Sequence, residues 1–308
     1  MNVLVTGATG FVGSHLAKRL REQGNTVIAL MHNPRSGLWP KESLEGSVMV
    51  NGDIRNLELL RETLARYEVK QVYHTAAMTI VKTAWKEPYG VYDINVMGTV
   101  ALLEACRLQD VEKILIMATD KIYGDGYLLD ESHALKAESE PYASSKVGQV
   151  AAALSYAKTY GMNIILPVCC NIFGYDPYSN RIIPNTVKFC LRGMSPVVFE
   201  NDESMREYMF VEDTLRAFQE LMTDKPMPSG LYNFPTNWVL NQKDVVLKIC
   251  KHFPGLRVRY QIADLPIQIH AQQLATLKLP DWKPSWSFED ALKETIRLFE
   301  FYKEDWMK

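Results

Sequence analysis

The sequence predicts an α/β fold in which a central parallel β-sheet carries helices on both of its faces. Two observations lead to this prediction. Short apolar runs of strand length alternate with helical patterns through the first half of the chain, and a glycine-rich turn joins the first run to the first helix. Strands that alternate with helices pair in parallel through right-handed crossovers. The predicted strands are 2–6, 26–31, 47–51, 71–74, 113–118 and 163–168, and the predicted helices are 11–23, 57–67, 89–108 and 142–160.

The second half of the chain is less regular, and it is richer in Pro, Asn and Trp. We therefore predict a main domain over residues 1–168 and a smaller α/β region over residues 169–308. Residues 197–199 and 232–234 are short apolar runs, so both are candidates to return to the main sheet. A chain of 308 residues suits one large domain or two closely packed ones.

Composition and charge exclude several classes of protein. Hydrophobic residues make up 47% of the chain and charged residues 23%, which excludes a disordered protein and a fibre. The 34 basic and 36 acidic side chains leave a formal charge of -2, so the basic excess of a nucleic-acid-binding protein is missing. Because no apolar run reaches the ~18 residues of a membrane span, we expect no membrane segment. We also expect no signal peptide.

The cysteines indicate the compartment rather than the chemistry. Cys106, Cys169, Cys170, Cys190 and Cys250 follow no zinc-binding or redox-active spacing. Adjacent Cys169 and Cys170 cannot both easily face one ion, so we expect no metal site. We expect buried thiols in a reducing cytoplasm.

The glycine-rich turn is the first candidate binding site. Its glycines follow a predicted strand and open a predicted helix, where they allow a tight turn and a close approach of backbone N–H groups to a pyrophosphate. The helix N-terminus adds partial positive charge. A purely structural turn is the alternative. The residues predicted to bind a dinucleotide here are Gly7, Thr9, Gly10, Phe11, Val12 and Gly13.

The residues after the second strand bear on the choice of dinucleotide. NAD sites of this type usually carry an acidic residue there, which binds the ribose 2′-hydroxyl. This chain instead has His32, Asn33, Arg35 and Ser36 in a stretch that contains no carboxylate. Because a guanidinium matches the geometry of a phosphate, Arg35 and Ser36 could hold the 2′-phosphate of NADP. NADP is therefore favoured. NAD and a solvated loop arginine are the alternatives.

Further motifs resemble the extended short-chain dehydrogenase/reductase superfamily, whose members modify nucleotide sugars. The motifs that carry the resemblance are the GxxGxxG spacing, Gly52-Asp53-Ile54, Ala76-Ala77, Asn95, Tyr142-Ala143-Ser144-Ser145-Lys146, Asn171-Ile172-Phe173-Gly174, Arg206 before Phe210-Val211-Glu212-Asp213, and Trp282-Lys283-Pro284. The resemblance implies a Rossmann-type doubly wound sheet with a smaller C-terminal substrate-binding region. It also implies that the cofactor site includes Asp53, Ile54, Ala76, Ala77 and Asn95, with Asp53 and Ile54 against the adenine.

Tyr142 and Lys146 are the candidate proton-transfer pair. They lie four residues apart on a predicted helix, so they share one face. A tyrosine that exchanges a proton at neutral pH needs an unusually acidic hydroxyl, and a neighbouring ammonium favours the phenolate. Lys146 can also bind the nicotinamide ribose. Thr119, at the carboxyl end of a predicted strand, can hold the reacting oxygen of the sugar beside Tyr142.

The two residues after Thr119 distinguish between reactions. Epimerases of the family usually carry small neutral residues there, whereas this chain has Asp120 and Lys121. The stretch resembles the Thr-Asp-Glu of nucleotide-sugar 4,6-dehydratases, and its Thr-Asp-Lys form resembles the CDP-glucose or GDP-mannose enzymes. This implies oxidation at C4, elimination of water across C5 and C6, and return of hydride to C6. Asp120 is the candidate acid. Lys121 is the candidate base if its surroundings leave some free amine.

The remaining candidates concern the substrate and the assembly. Asn171, Arg181 and Arg206 match family positions that touch the nucleotide diphosphate, and two arginines suit a pyrophosphate. Thr79 is a further candidate for the sugar site. The resemblance also implies a homodimer in which helices 89–108 and 142–160 pair with their copies in a four-helix bundle. The alternatives are a 4-epimerase or 4-reductase on the same scaffold, and a non-catalytic dinucleotide-binding regulator.

Overall fold

The computed structural model describes residues 1–32, 43–202, 204–223, 225–262 and 271–307. It divides into two compact units. The first contains Met1–Gly124, Glu131–Cys169 and Leu215–Asn233. The second contains Asp125–Asp130, Cys170–Thr214 and Phe234–Lys308. The chain therefore passes from the first unit to the second after residue 169 and returns to the first at residues 215–233.

The elements of both units are numbered along the chain. The strands are β1 (Asn2–Thr6), β2 (Thr26–Met31), β3 (Val48–Asn51), β4 (Gln71–His74), β5 (Lys113–Ile116), β6 (Ala118–Thr119), β7 (Gly126–Leu129), β8 (Ile164–Cys169), β9 (Asn171–Phe173), β10 (Val197–Phe199), β11 (Met205–Phe210), β12 (Gly230–Asn233), β13 (Val239–Asn241), β14 (Arg259–Gln261) and β15 (Ala271–Leu274). The helices are α1 (Phe11–Glu22), α2 (Leu57–Arg66), α3 (Val81–Lys86), α4 (Pro88–Tyr92), α5 (Gly98–Leu108), α6 (Pro141–Tyr160), α7 (Ile182–Leu191), α8 (Val211–Leu221), α9 (Gln242–Cys250), α10 (Phe288–Phe301) and α11 (Lys303–Trp306).

A parallel sheet forms the centre of the first unit. Its strand order is β12-β8-β5-β4-β1-β2-β3, with β6 also paired to β8. Read from β3, this is the 3-2-1-4-5 order of dinucleotide-binding folds, extended by β8 and β12. The strands β4, β5 and β8 are buried along their whole length, which explains their continuous apolar runs. The predicted Rossmann-type α/β fold is confirmed.

The helix predicted over residues 89–108 contains a turn that the sequence pattern did not indicate. Helix α4 leads into a π-helical turn at Asp93–Met97, and α5 follows without a break. A π-helical turn inserts an extra residue into the helix, and such turns are frequent at functional sites. Asn95 lies in this turn with a fully buried side chain.

Helix α6 begins at a well-defined cap immediately before Tyr142. The Glu140 carboxylate accepts hydrogen bonds from the backbone N–H groups of Tyr142 (2.8 Å) and Ala143 (3.1 Å). Pro141 occupies the first helical turn, where its missing N–H costs nothing. The cap therefore sets the position of Tyr142 relative to the sheet of the first unit.

The second unit is built around β11. This strand pairs with β13 in the antiparallel sense, and with β9 and β15 in parallel. Strand β10 pairs with β14, so residues 197–199 do not join the main sheet, whereas β12 pairs with β8 within it. The reason is visible in the burial: in β10 only the middle residue, Val198, is buried, while β12 is buried throughout. A strand that is buried at one position does not suit a sheet covered on both faces.

Candidate functional site

The glycine turn after β1 is closed by backbone contacts that leave no room for a side chain. Gly7 has a φ of +66°, and a Cβ there would stand 2.8 Å from the Cα and N atoms of Ala76. A Cβ on Gly13 would stand 2.2 Å from the Gly7 carbonyl oxygen. The Gly10 N–H donates to that same oxygen at 2.8 Å. The turn thus forms a cradle at the N-terminus of α1 that suits an anionic phosphate.

The other residues of the predicted cradle surround this turn. Thr9, Phe11 and Val12 are half-buried, and Ala77 follows Ala76 in the segment after β4. Because the backbones of Ala76 and Gly7 approach so closely, a side chain on Gly7 would have no room beside Ala76. The residues present therefore fit a dinucleotide.

Asp53 lies at the centre of a cluster of charges after β3. Arg55 donates from Nε and Nη2 to the two Asp53 carboxylate oxygens, at 2.9 and 2.6 Å, and from Nη1 to Asp93. Hydrogen bonding to Arg55 lowers the pKa of Asp53 to about 2. His32 places Nδ1 3.4 Å from Asp53 Oδ2. Arg55 and Asp93 were not among the predicted site residues, although the Asp-x-Arg spacing of Asp53 and Arg55 is visible in the sequence.

Ile54 was predicted to contact the adenine, and Asn33, Arg35 and Ser36 to bear on the choice of dinucleotide. Ile54 is buried, and its Cγ2 lies where a Cβ on Gly98 would come within 2.7 Å, so α5 and the segment after β3 are in close contact. Asn33, Arg35 and Ser36 lie outside the described residues.

Asn95 joins the segment after β4 to the start of α6. Its Oδ1 accepts from the Met78 N–H at 2.8 Å, and its Nδ2 donates to the Met78 carbonyl at 3.1 Å and to Ser145 Oγ at 2.9 Å. Ser145 Oγ in turn donates to the Tyr142 carbonyl at 2.7 Å. The side chain of Asn95 therefore holds the loop that carries exposed Thr79 against the helix that carries Tyr142.

Tyr142 and Lys146 are both buried on α6. The Tyr142 ring packs in an apolar cluster with Ala84 and Val91. Lys146 Nζ donates to the Met117 carbonyl at 2.7 Å and to Gln149 Oε1. Burial lowers the pKa of Lys146 to about 7. Burial thus moves the amine toward the pKa range in which a side chain can assist proton transfer at neutral pH.

Thr119 ends β6 and caps the short 3₁₀ turn Asp120–Tyr123, which contains Asp120 and Lys121. The Thr119 hydroxyl donates to Asp120 Oδ1 at 2.9 Å, and the Lys121 N–H donates to Thr119 Oγ1 at 3.5 Å. Asp120 is 4% exposed, whereas Lys121 is half-buried. Helix α6 packs against this turn. The fold of the first unit therefore brings the five predicted catalytic residues to the carboxyl end of the strands of the sheet.

The predicted diphosphate-binding residues belong to the second unit. Asn171 and Arg206 lie on the paired strands β9 and β11, and Asn171 Nδ2 donates to the Glu207 carbonyl at 3.0 Å. Arg181 is exposed and immediately precedes α7. Buried Lys188 ties down the preceding loop by donating to the Pro177 and Ser179 carbonyls at 2.9 and 2.8 Å.

Neither a metal-binding cluster nor a membrane-spanning helix is found within the described ranges. There, no group of three or more His, Cys, Asp or Glu side chains is placed to hold a metal ion. No helix in that part of the chain has the length and apolarity to cross a membrane.

The sheet order, the glycine cradle and the buried tyrosine–lysine pair define a dinucleotide-dependent protein of the short-chain dehydrogenase/reductase type. A family comparison makes the assignment specific. The model of the NAD dependent epimerase/dehydratase family matches residues 3–233, and the chain belongs to that family. This confirms the predicted superfamily.

Curated relatives include 4,6-dehydratases. The dTDP-glucose 4,6-dehydratase of Xanthomonas campestris is 28% identical over 95% of this chain and 91% of that protein. The trifunctional UDP-glucose 4,6-dehydratase/UDP-4-keto-6-deoxy-D-glucose 3,5-epimerase/UDP-4-keto-L-rhamnose-reductase of Arabidopsis thaliana is 26% identical over 99% of this chain. The chain spans about half the length of that plant protein, 48%.

Solved structures of similar fold include both reaction types. The dTDP-glucose 4,6-dehydratase of Streptomyces venezuelae, solved with NAD, is 27% identical, with a TM-score of 0.88 over 99% of each chain. The UDP-glucose 4-epimerase of Thermus thermophilus, also with NAD, is 26% identical. Its TM-score is 0.87 over 97% of this chain and 99% of the other. The similarity therefore supports a dehydratase or epimerase family without choosing one activity.

Proposed function

We propose that this protein is a nucleotide-sugar 4,6-dehydratase that produces an NDP-4-keto-6-deoxyhexose. The observation that carries the proposal is the turn Thr119-Asp120-Lys121 packed against α6. It adds a buried carboxyl group and a half-buried amine to the tyrosine–lysine pair. An epimerase needs reversible hydride transfer at C4 and has no use for a second acid and base. The dehydratases among the relatives support the same choice.

Each residue of this site has a distinct task in the proposed reaction. A bound nicotinamide dinucleotide, held by the glycine cradle and by Lys146, supplies the hydride acceptor for C4 and the hydride donor for C6. Tyr142 accepts the proton of the C4 hydroxyl while the Thr119 hydroxyl orients that oxygen. The resulting 4-ketone makes the C5 hydrogen acidic. Lys121 then removes the C5 proton, and Asp120 gives a proton to the C6 hydroxyl so that water leaves. When hydride returns to C6, the Lys121 ammonium gives the proton back to C5.

The test uses the variants Asp120→Asn and Lys121→Met with a panel of nucleotide sugars. Wild type should release a product 18 mass units lighter, since water has been lost. Each variant should stall after C4 oxidation, accumulate reduced cofactor by absorbance, and form product ~10²–10⁴-fold more slowly. Exposed Asp110→Asn and Lys70→Met are matched controls that should retain full activity. Wild-type rates in both site variants would refute the roles assigned to Asp120 and Lys121.

The alternatives predict different products. A 4-epimerase, which the Thermus structure supports, would change stereochemistry without loss of mass. A 4-reductase would consume reduced cofactor stoichiometrically. A non-catalytic regulator would bind the dinucleotide and act on no sugar. The presence of both Tyr142 and Lys146 argues against a regulator, because the proton-transfer pair would have no task.

We further propose that the cofactor stays bound through turnover and that NADP is preferred. The reason is that β2 ends at Met31 and is followed by His32, Asn33, Pro34 and Arg35, a stretch without a carboxylate. Denaturing the purified protein and identifying the released dinucleotide tests this directly. Release of NAD, the cofactor named with both solved relatives, would refute the preference, as would unchanged NADP affinity in Arg35→Ala.

The proposed substrate-binding residues are Thr79, Asn171, Arg181 and Arg206. Arginine binds a pyrophosphate through charge and paired hydrogen bonds. Arg206→Ala should therefore raise KM for the nucleotide sugar at least tenfold with little effect on cofactor retention. Exposed Arg297→Ala is the control. An unchanged KM would remove Arg206 from the diphosphate site.

We propose a homodimer through helices 88–108 and 141–160. The supporting observation is that Tyr89, Tyr92, Met97 and Leu108 are exposed along the first of these helical segments, with Tyr89 83% exposed. Sedimentation should give twice the 35.2 kDa chain mass, and Met97→Asp should shift the protein toward the monomer. A monomer at micromolar concentration would refute the dimer.

All five cysteines are thiols rather than disulfides, which supports the proposed cytoplasmic location.

A further inference from the structure

A chain of buried hydrogen bonds leads from β1 to Lys146. Thr6 Oγ1 lies 2.7 Å from His74 Nδ1, and His74 Nε2 lies 2.9 Å from Thr99 Oγ1. Gln149 Nε2 donates to Thr99 Oγ1 at 2.8 Å, and Gln149 Oε1 accepts from Lys146 Nζ. All five side chains are at most 4% exposed. The chain connects β1, β4, α5 and α6 within the first unit.

The hydrogen-bond directions in this chain follow from its chemistry. The Thr99 hydroxyl donates to the Asn95 carbonyl at 2.7 Å, so its oxygen must accept from both Gln149 and His74. His74 therefore carries its proton on Nε2, and Nδ1 accepts from Thr6. Burial and the charge of Lys146 lower the pKa of His74 to about 3, which keeps the imidazole neutral in this role.

These directions leave Gln149 one orientation. Its amide nitrogen is required by Thr99, so its carbonyl oxygen faces the Lys146 amine. The reversed amide would place its N–H groups against the Lys146 ammonium and its carbonyl oxygen against the Thr99 oxygen, whose proton is already donated to the Asn95 carbonyl. Lys146 Nζ is consequently held by two acceptors, the Met117 carbonyl and Gln149 Oε1. One N–H of the ammonium form remains for a ligand.

We propose that Gln149, oriented by Thr99 and His74, is a positioning residue that holds the Lys146 amine in place and stabilises its ammonium form. The inference rests on the proposed function in one respect, namely that Lys146 assists proton transfer at Tyr142. Neither Gln149 nor His74 was among the residues that the sequence motifs indicated.

The titratable groups around Lys146 do not replace this acceptor. The Cys169 thiol faces it from β8, and burial keeps that thiol neutral by raising its pKa. His74 faces it from β4. Tyr142 lies on the same helix as Lys146. Asp120 lies in the turn after β6, and its carboxyl group interacts electrostatically with Cys169. Loss of the Gln149 oxygen should therefore favour the neutral amine, since hydrogen bonding to a charged form stabilises it.

The experiment measures the titration of Lys146 directly in the holoenzyme. Protein labelled with ¹³C at lysine Cε is titrated by NMR, and the Lys146 signal is assigned by its loss in Lys146→Arg. Gln149→Met should lower the Lys146 pKa by about one unit, and Gln149→Glu should raise it by about one unit or more. Gln71→Met is the matched control, because Gln71 is a buried glutamine that contacts Met222 and Tyr73 instead.

Opposite shifts in the two Gln149 variants, with Gln71→Met unchanged, would support the proposal, since a merely structural residue would not give opposite signs. Unshifted titration in both Gln149 variants would overturn it. Should Gln149→Met fail to fold, the upward shift in Gln149→Glu decides alone. Turnover of the sugar panel is measured in parallel. Absence of any wild-type turnover would refute the proposed function, while the NMR titration still decides the role of Gln149.

Discussion

Gly13→Ala tests the cradle because the added Cβ would clash with backbone atoms of Gly7, which cannot move away as a side chain could. The new Cβ would stand 2.2 Å from the Gly7 carbonyl oxygen, where ordinary contact begins at 3.4 Å, so the turn must move by about 1.2 Å. Gly7 cannot retreat freely, because its own Cα faces the Ala76 backbone and its carbonyl already accepts from Gly10. Overpacking of this kind costs ~1–3 kcal/mol of stability.

The larger effect should be on dinucleotide binding. The predicted dinucleotide site would hold a phosphate by the N–H groups of this turn, so a shift of about 1 Å should weaken affinity at least tenfold, or ~1.4 kcal/mol. Calorimetric titration with the dinucleotide and thermal unfolding measure the two effects separately. Gly10→Ala, whose Cβ would lie 3.1 Å from the same oxygen, should be milder.

Gly148→Ala on α6 is the control. Its nearest neighbour is a methyl group of Val96 at 3.0 Å, which can rotate away. If Gly13→Ala binds the dinucleotide as tightly as wild type and unfolds at the same temperature, the backbone of the cradle is not rigid. An equal loss in Gly148→Ala would lead to the same conclusion.

Three further predictions concern buried polar groups of the first unit. Tyr142→Phe should abolish turnover while the unfolding temperature stays within a few degrees, because the ring keeps its apolar neighbours; activity near wild type would remove Tyr142 from the mechanism. Asn95→Ala should lower the free energy of unfolding by ~2–4 kcal/mol, since the Met78 backbone loses two hydrogen bonds that Asn95 makes, and urea unfolding measures this. Acid should destabilise the protein, because burial lowers the pKa of His15 to about 4 and of His74 to about 3. The unfolded state therefore binds more protons than the folded state from about pH 6.5 downward, and the free energy of unfolding falls through that window; equal urea midpoints at pH 7 and pH 4.5 would contradict both burials.

Local patterns in the sequence predicted the elements of the first unit well. Strands β1, β2 and β4 have the predicted bounds, since an apolar run between polar turns is visible without any tertiary information. The pairing of Tyr142 with Lys146 follows from helical spacing alone. The glycine cradle was likewise predictable, because glycine at these positions signals backbone geometry that other residues cannot adopt.

Tertiary structure decided which polar residues serve the site. Thr6 and His74 are 68 residues apart in the chain, and Gln149 and Thr99 are 50 apart, yet both pairs are joined by hydrogen bonds. The contact between Gln149 and Lys146 follows from their i, i+3 spacing on α6, but nothing in the residues adjacent to Gln149 marks it as buried against Thr99. The π-helical turn at Asp93–Met97, which buries Asn95, has no pattern of its own either. Sequence periodicity reports which face of an element is buried, whereas the partner of a buried polar group depends on packing between distant elements.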